Sequence, residues 1–384
     1  MKSTTIGLLA GITIIGIVLA VFVNREPSSS LPQSGQPVFP DLMSLVNDIN
    51  EVVIETHEQT MTLVRGEHAW GVKEKSGYRA DVEKVKKTIV GLAGLRILEP
   101  KTQTPELYDR LGLQDHGEEG STSKMVTLKT ADNPEAAKLV VGNQKPAKGN
   151  PRMSDIYVRK PDDPRTWLVI GNLPLETVPG EWLDQEVTAF TTKRVRQVTV
   201  THPQGETLHL SKAKPDDLDF SLDSIPAGFR ISSQFNVNNV VGTLVQLSLE
   251  DVKPQAEVDF SANPGVSVVL ETFDGLRLHV HIAKHDEYMW AKLSAEFDAN
   301  LVQPSELSST PEDGQKAEGE ETEKGDEVAN VETPEKDSAL TTPEEVQREV
   351  DSLNQRVKGW AYALPSFRVE NFSKLKTDLI SKEE

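Results

Sequence analysis

The chain opens with one long apolar run and continues with alternating polar and apolar positions. The run Ile6–Val23 is uncharged, and as a helix it would be about 27 Å long, close to the ~30 Å hydrocarbon core of a bilayer. It is longer than the core of a cleavable signal peptide and ends at Phe22 and Val23 without a small-x-small site. The pattern predicts a transmembrane anchor over residues 1–23, with a cleaved signal as the alternative.

Residues 24–46 are predicted to be a linker, because 24–40 are rich in Pro, Ser, Gly and Gln. Lys2 precedes the apolar run, whereas Arg25 after it is offset by Glu26. This small excess of positive charge before the run favours an N-terminus inside the cytoplasm. We therefore expect a single-pass inner-membrane protein whose C-terminal body is periplasmic.

The body repeats one pattern of strands followed by an amphipathic helix. Asp81 is placed to cap the first helix. Its apolar positions, and those of the matching second helix, keep the spacing of one buried face: Val82, Val85, Ile89, Leu92 and Leu95, then Val237, Val241, Leu244 and Leu247. The preceding strands match as well, through Ile49, Val52 and Ile54 and through Val195, Val198 and Val200. These matches in one order predict a tandem duplication.

Further matches set the boundaries of the two copies. They are Gly77-Tyr78-Arg79 with Gly228-Phe229-Arg230, 126–128 with 268–270, 139–141 with 278–280, and Trp167 with Trp360. The predicted fold is α+β: unit 1 over 47–190 and unit 2 over 191–384, each with antiparallel strands packed on one main helix. Leu218, Phe220 and Leu222 alternate as on a half-buried strand, and a final helix is expected over 372–381.

An acidic segment interrupts the second copy. From Glu306 to Glu345 there are fourteen acidic residues and three lysines, a net charge of −11. Residues 302–340 contain few apolar side chains, so we expect a disordered surface insertion. Thr342 to Glu345 then has the sequence of a capping box. The helix that follows has one apolar stripe, expected to pack on the second copy: Val346, Val350, Leu353 and Val357.

The amino-acid composition limits the classes of partner that the protein is expected to bind. The chain contains no cysteine and has a formal net charge of −19. A cysteine-free body suits an oxidising compartment such as the periplasm. The negative charge argues against nucleic acid and anionic lipid headgroups, both of which attract clustered Lys and Arg.

The best metal-ligand candidates are His279, His281 and His285. Residues i and i+2 share one face of a strand, so two imidazoles could approach one ion. The alternative is the polar face of a hairpin that turns at Asp274-Gly275. No Cys, His or carboxylate spacing supplies a complete set of ligands, so no metal and no cofactor are expected.

The segment Asp217–Asp223 has oxygen donors at alternate positions, but it lacks the glycine and the glutamate of a calcium loop.

Catalytic signatures are missing from the sequence. It contains no G-x-S-x-G, G-x-x-x-x-G-K-[ST] or H-E-x-x-H, no G-x-G-x-x-G after a strand, and no cysteine nucleophile. We therefore expect a protein that is not an enzyme.

Five segments of the body form a recognisable set: the Gly-Tyr-Arg-Ala-Asp lead-in at 77–81, Leu98-Glu99-Pro100-Lys101, the stretch 105–113, Trp182-Leu183-Asp184 and the block 360–365. Together they resemble the bacterial domain-of-unknown-function family 4340. The resemblance extends from Asn47 to the C-terminus apart from the acidic insertion. It implies no catalytic residues. It implies an accessory role, because such proteins are often encoded beside ABC-type permeases.

The function expected from these observations is that of a membrane-anchored periplasmic accessory or scaffold protein, associated with an ABC-type transport or other envelope complex. Its expected partners are the membrane and a protein of the envelope. The alternative is a module that binds an envelope polymer such as polysaccharide or peptidoglycan, and an enzyme of unknown type comes third.

Overall fold

The computed structural model describes residues 34–67, 69–302 and 342–383. The predicted anchor over 1–23 lies outside these ranges, as does nearly all of the predicted acidic insertion. Within the described residues, no helix is both long and apolar enough to cross a membrane.

The described residues fold into two compact units. One contains the chain up to Thr60 together with Lys86–Thr177, and the other contains Met61–Val85 together with the chain from Val178 onward. We call these the first and second units. Both are built from strands with few helices, so the predicted α+β class with mostly antiparallel sheets is confirmed.

The first sheet has nine strands. In chain order they are β1 (Ile49–Glu55), β2 (Thr60–Arg65), β3 (Trp70–Val72), β4 (Tyr78–Arg79), β5 (Arg96–Pro100), β6 (Lys124–Thr130), β7 (Ala137–Ala147), β8 (Asn150–Arg159) and β9 (Thr166–Gly171). Their order in the sheet is β4-β3-β2-β1-β6-β7-β8-β9-β5. Where β1 pairs with β6, Ile49 lies opposite Thr130 and Glu51 opposite Lys129, so Asn50 is an extra residue in a bulge.

The second sheet has eight strands in the order β12-β11-β10-β15-β16-β17-β18-β14. They are β10 (Val195–Thr201), β11 (Thr207–Ser211), β12 (Ser221–Leu222), β14 (Asp251–Pro254), β15 (Val266–Thr272), β16 (Leu276–His285), β17 (Tyr288–Phe297) and β18 (Trp360–Ala363). Strand β13 (Phe229–Ile231) pairs separately with β19 (Ile380–Lys382). Where β10 pairs with β15, Arg196 is the extra residue, because Val195 faces Thr272 and Gln197 faces Glu271.

Seven α-helices accompany these strands in the described residues. They are α1 (Leu42–Leu45), α2 (Val82–Ala93), α3 (Tyr108–Leu111), α4 (Gln234–Val245), α5 (Pro343–Val357), α6 (Ser366–Ser373) and α7 (Lys376–Leu379). Short 3₁₀ turns lie at Lys73–Lys75, Pro105–Leu107, Pro179–Trp182, Thr192–Arg194, Gln255–Glu257 and Ala299–Leu301.

Local sequence signals account for the helices. The Asp81 carboxylate accepts a hydrogen bond from the Lys84 N–H at 3.0 Å, which caps α2 as predicted. Thr342 and Glu345 form the predicted capping box of α5. The apolar stripe of α5 is buried, as the sequence predicts: Val346, Val350, Leu353 and Val357. Asn354 of this helix exchanges two hydrogen bonds with the backbone of Ala295 in β17, at 2.9 and 2.8 Å.

Two local predictions in the second unit are wrong. Leu218 is 90% exposed, although Phe220 and Leu222 are buried. The Asp217 carboxylate accepts hydrogen bonds from the Ala213 and Lys214 N–H groups, and this turn keeps Leu218 out of the strand.

The expected final helix over 372–381 is likewise absent. Helix α6 ends at Ser373, the single turn α7 follows, and the last residues form β19. They are extended because they pair with β13, a partner that lies far away in sequence.

The end of the predicted linker is packed in the first unit. The N–H of Gly35 donates to the Ile97 carbonyl at 2.7 Å, and the N–H of Val38 donates to the Leu95 carbonyl at 3.0 Å. Val38 and Leu42 are buried. Residues 35–42, which lie within the range predicted to be a linker, are therefore packed, because they extend along the edge of β5.

Candidate functional site

The side chains of His279 and His281 lie on the less buried face of the sheet formed by β15, β16 and β17. This agrees with the prediction that they occupy the polar face of a hairpin. Three rows of side chains cross these strands. They are Ser267–His281–Lys292, Val269–His279–Ser294 and Glu271–Arg277–Glu296. The alternate residues of β16, such as Leu278 and Val280, are buried. One face of these strands therefore packs in the core, and the other face presents polar side chains.

A cavity of about 370 Å³ opens over the first two rows. We call it the β-face groove. It is lined by Gln255, Ser267, Val268, Val269, His279, Val280, His281, Lys292, Leu293 and Ser294. Phe260 lies at one side of the groove, with its ring centroid 4.9 Å from Lys292 Nζ and 6.0 Å from the His281 ring.

His281 is held by its neighbours. Its Nδ1 is 3.1 Å from Ser267 Oγ, within hydrogen-bonding distance. Burial lowers the pKa of His281, and the positive charge of Lys292 lowers it further, while a hydrogen bond with the Phe260 backbone acts in the opposite direction. His281 is therefore neutral near neutral pH and is held by its hydrogen bond with Ser267.

The other two candidate histidines interact with separate carboxylates. His279 Nε2 is 3.4 Å from Glu296 Oε1, and His285 Nε2 is 3.5 Å from Asp286 Oδ2. His285 is four residues beyond His281, or roughly 13 Å along the strand. Among residues 34–67, 69–302 and 342–383, no three His, Asp or Glu side chains are grouped to hold a metal ion.

Glu296 belongs to a charged row beside the groove. Arg277 donates to Glu296 Oε1 at 3.0 Å and to Glu271 Oε1 at 2.8 Å. The hydrogen bond from Arg277, with a smaller one from His279, holds the pKa of Glu296 below its ordinary value. These carboxylates are therefore already engaged, and none of the described residues that line the groove is acidic.

Sequence reasoning missed Lys292, Ser294 and Gln255. Lys292 and Ser294 are next to the histidines only because β16 and β17 pair in this register. Gln255 comes from the 3₁₀ turn after β14. The i, i+2 spacing of Lys292 and Ser294 shows that they share a face, but no local signal indicates which strand lies beside them.

Two segments that carry the family resemblance meet in the core of the second unit. The Tyr78 ring packs edge-to-face on Trp360, with centroids 5.0 Å apart, and on Tyr362, at 6.1 Å. Burial raises the pKa of both tyrosines, so both are neutral phenols. Arg79 lies 3.1 Å from Asp184 through Nε. The motif residues therefore hold distant segments together.

Acid should destabilise the protein partly through His281. Because folding lowers the pKa of this group, the unfolded chain takes up the proton first, and stability is lost as the pH falls below about 6.5. We expect the melting temperature of the His281→Asn variant to fall by less than that of the wild type when the pH is lowered from about 7 to about 5.5. Thermal unfolding followed by circular dichroism measures both losses, and equal losses would contradict the prediction.

The chain matches one known protein family over about half of its length. The model of a domain of unknown function, DUF4340, matches residues 70–264. This range ends just before β15, so it covers less of the chain than the resemblance in sequence suggests. No curated protein and no solved structure matches the chain. Since the matched residues make up half of the sequence, the chain belongs to the DUF4340 family.

Proposed function

We propose that this protein is a membrane-anchored accessory or scaffold subunit of an envelope complex, associated with an ABC-type transporter. In this proposal the run Ile6–Val23 is a single inner-membrane span and the body is periplasmic. The role is non-enzymatic: the body binds a protein partner.

The proposal includes a tandem duplication. The order β3-β2-β1-β6-β7-β8-β9-β5 in the first sheet parallels β12-β11-β10-β15-β16-β17-β18-β14 in the second. The bulges at Asn50 and Arg196 fall at the same place in corresponding strand pairs. In this alignment the acidic segment and α5 lie between β17 and β18, where the first copy has only residues 160–165. Two copies that share a core differ in what their surfaces can bind.

The observation that carries the proposed role is exposed apolar surface on the second unit. Leu218 is 90% exposed, Phe235 71% and Phe367 62%, and these are the most exposed large apolar side chains of the described residues. Exposed apolar side chains mark interaction surfaces when they lie together in one patch.

Leu218 and Phe235 lie on segments that are joined by hydrogen bonds. The Asn238 side chain of α4 donates to Asp219 Oδ1 at 2.8 Å and accepts from the Phe220 N–H at 3.1 Å. We call Leu218 and Phe235 the apolar patch. Asp216, Asp217 and Asp219 adjoin it in sequence. The patch therefore suits a protein partner with an apolar pocket beside basic residues.

A surface variant tests this role in cells. We expect the double variant Leu218→Ser, Phe235→Ser to fold normally, since exposed substitutions usually change stability by no more than about 0.5 kcal/mol. It should nevertheless fail to complement a deletion strain and should lose a stoichiometric membrane partner in crosslinked membranes. Met153→Ser, at a 40% exposed position of the first unit, is the matched control and should keep both properties.

Two results would count against the proposal. Full complementation and unchanged crosslinking by the double variant would remove the apolar patch as a partner surface. An inactive C-terminal alkaline phosphatase fusion, beside a fluorescent cytoplasmic-type fusion, would contradict the periplasmic orientation.

An envelope-polymer binding module is the second candidate, and the β-face groove favours it because its volume is in the range of small-ligand sites. Retention of the body on purified peptidoglycan or polysaccharide, without a stoichiometric protein partner, would support this candidate over the scaffold role.

A further inference from the structure

The β-face groove presents hydrogen-bond donors without a carboxylate to satisfy them. Lys292, Ser294 and Gln255 line it. Within the described part of the chain, no protein group pairs with the side chains of these three residues. The ring of Phe260 lies 4.9 Å from the Lys292 ammonium nitrogen, and His281 lies opposite Lys292 on the neighbouring strand. An ammonium group that is partly buried and unpaired attracts an anion.

The neighbouring side chains do not supply that anion. Glu296 and Glu271 are engaged by Arg277 one row away from the groove. Ser267 pairs with His281, which leaves the Lys292 side of the groove to an external ligand. Lys292 therefore gives this side of the groove a positive charge, although the whole chain carries a net charge of −19.

We propose that the β-face groove is a binding site for an oxyanion group, a carboxylate or a phosphate, carried by a small ligand or by an envelope polymer. Lys292 forms the ion pair with it. The Ser294 hydroxyl and the Gln255 amide donate hydrogen bonds, and charge-assisted bonds of this kind are stronger than neutral ones. Phe260 and Val269 supply apolar contact for the rest of the ligand.

The volume is consistent with this class of ligand. A cavity of about 370 Å³ exceeds what a single phosphate or carboxylate fills and lies in the range of small-molecule sites. Gln255 comes from a different segment from Lys292 and Ser294, so the donors reach the groove from two sides. The site is independent of the apolar patch and of the proposed partner.

Histidine ring resonances of the full chain in a non-ionic detergent test the proposal directly. The chain has eight histidines, of which His279 and His281 line the groove. We expect inorganic phosphate or acetate, added at constant ionic strength, to shift these two rings in a saturable way. Saturation by phosphate alone assigns the site to phosphate groups, saturation by acetate alone assigns it to carboxylates, and saturation by both supports the shared oxyanion chemistry.

A matched pair of variants separates binding from general charge effects. Lys292→Gln should weaken binding at least about tenfold, the size expected for loss of one partly buried charge-assisted contact. Lys284→Gln removes the same charge from an exposed position of the same hairpin, outside the groove lining, and should change affinity by less than about twofold. Ser294→Ala should weaken binding to an intermediate degree.

The outcomes that would overturn the proposal are specific. They are the absence of saturable shifts with both anions, or equal affinities of the Lys292→Gln and Lys284→Gln variants. Unchanged dispersion of the remaining histidine resonances verifies that each variant is folded.

Discussion

Replacing Arg194 with methionine should destabilise the folded protein by about 3–5 kcal/mol, the range expected when one partner of a buried ion pair is removed. Arg194 Nε donates to Asp274 Oδ2 at 2.8 Å, and its two terminal nitrogens donate to Glu349 at 3.0 and 2.8 Å. The Asp274 side chain is only 1% exposed. Without Arg194, this buried carboxylate would lose a charged hydrogen-bond donor.

The balance of forces at Arg194 supports this expectation. Burial acts to lower the pKa of the guanidinium group, but the hydrogen bonds and charges of Glu349 and Asp274 outweigh it, so the pKa is raised. Arg194 therefore joins three segments: the start of β10, the turn between β15 and β16, and helix α5. Its loss weakens all three attachments at once.

Lys193→Met is the matched control. Lys193 is 54% exposed, and its nitrogen is 3.9 Å from the 92% exposed Asp216. Since exposed ion pairs contribute little, the control should change stability by less than about 1 kcal/mol. Urea unfolding measures both variants. The double variant Arg194→Met, Asp274→Asn should cost less than the sum of its single changes, because both single changes remove the same ion pair. A single Arg194→Met variant as stable as the control would contradict the prediction.

The second large effect is expected at Gly91, inside helix α2. By helix propensity alone, Gly→Ala should stabilise a helix by about 1 kcal/mol. A Cβ on Gly91, however, would lie 2.2 Å from the Asn172 carbonyl oxygen, and backbone cannot move aside cheaply. We therefore expect Gly91→Ala to destabilise the protein by about 1–3 kcal/mol, the usual cost of overpacking.

Gly242→Ala provides the comparison within helix α4. A Cβ there meets nothing within 4 Å. This variant should therefore gain about 0.5–1 kcal/mol from the reduced entropy of the unfolded chain. Thermal and urea unfolding of the two variants should move in opposite directions from the wild type. A shift of both in the same direction would show that the contact with Asn172 does not govern Gly91.

Much of the fold could be predicted because its signals are local. The Asp81 cap, the Thr342 capping box and the apolar stripes of α2, α4 and α5 each need only neighbouring residues, and each is present in the structure. The polar face of the His279 strand was likewise predictable, since strand periodicity and the Asp274-Gly275 turn determine which side chains share a face.

The errors arose where a side-chain-capped turn or a distant segment decides the conformation. Leu218 fits the alternation of a strand, but hydrogen bonds to Asp217 form a turn before it. Residues 380–382 have a helix-like context, but pairing with β13 makes them extended. Val38 lies in a linker-like sequence, yet the open edge of β5 binds that segment. In each case the competing interaction involves a partner that periodicity does not reveal.

The sequence by itself determined the α+β class, the helix stripes and their caps, and the polar face of β16, because these depend on residue types a few positions apart. Only the tertiary structure decided that Lys292 and Ser294 adjoin the histidines, that Gln255 reaches the same groove, and that Arg194 connects Asp274 with Glu349. Those arrangements follow from strand register and from contacts between segments far apart in the chain.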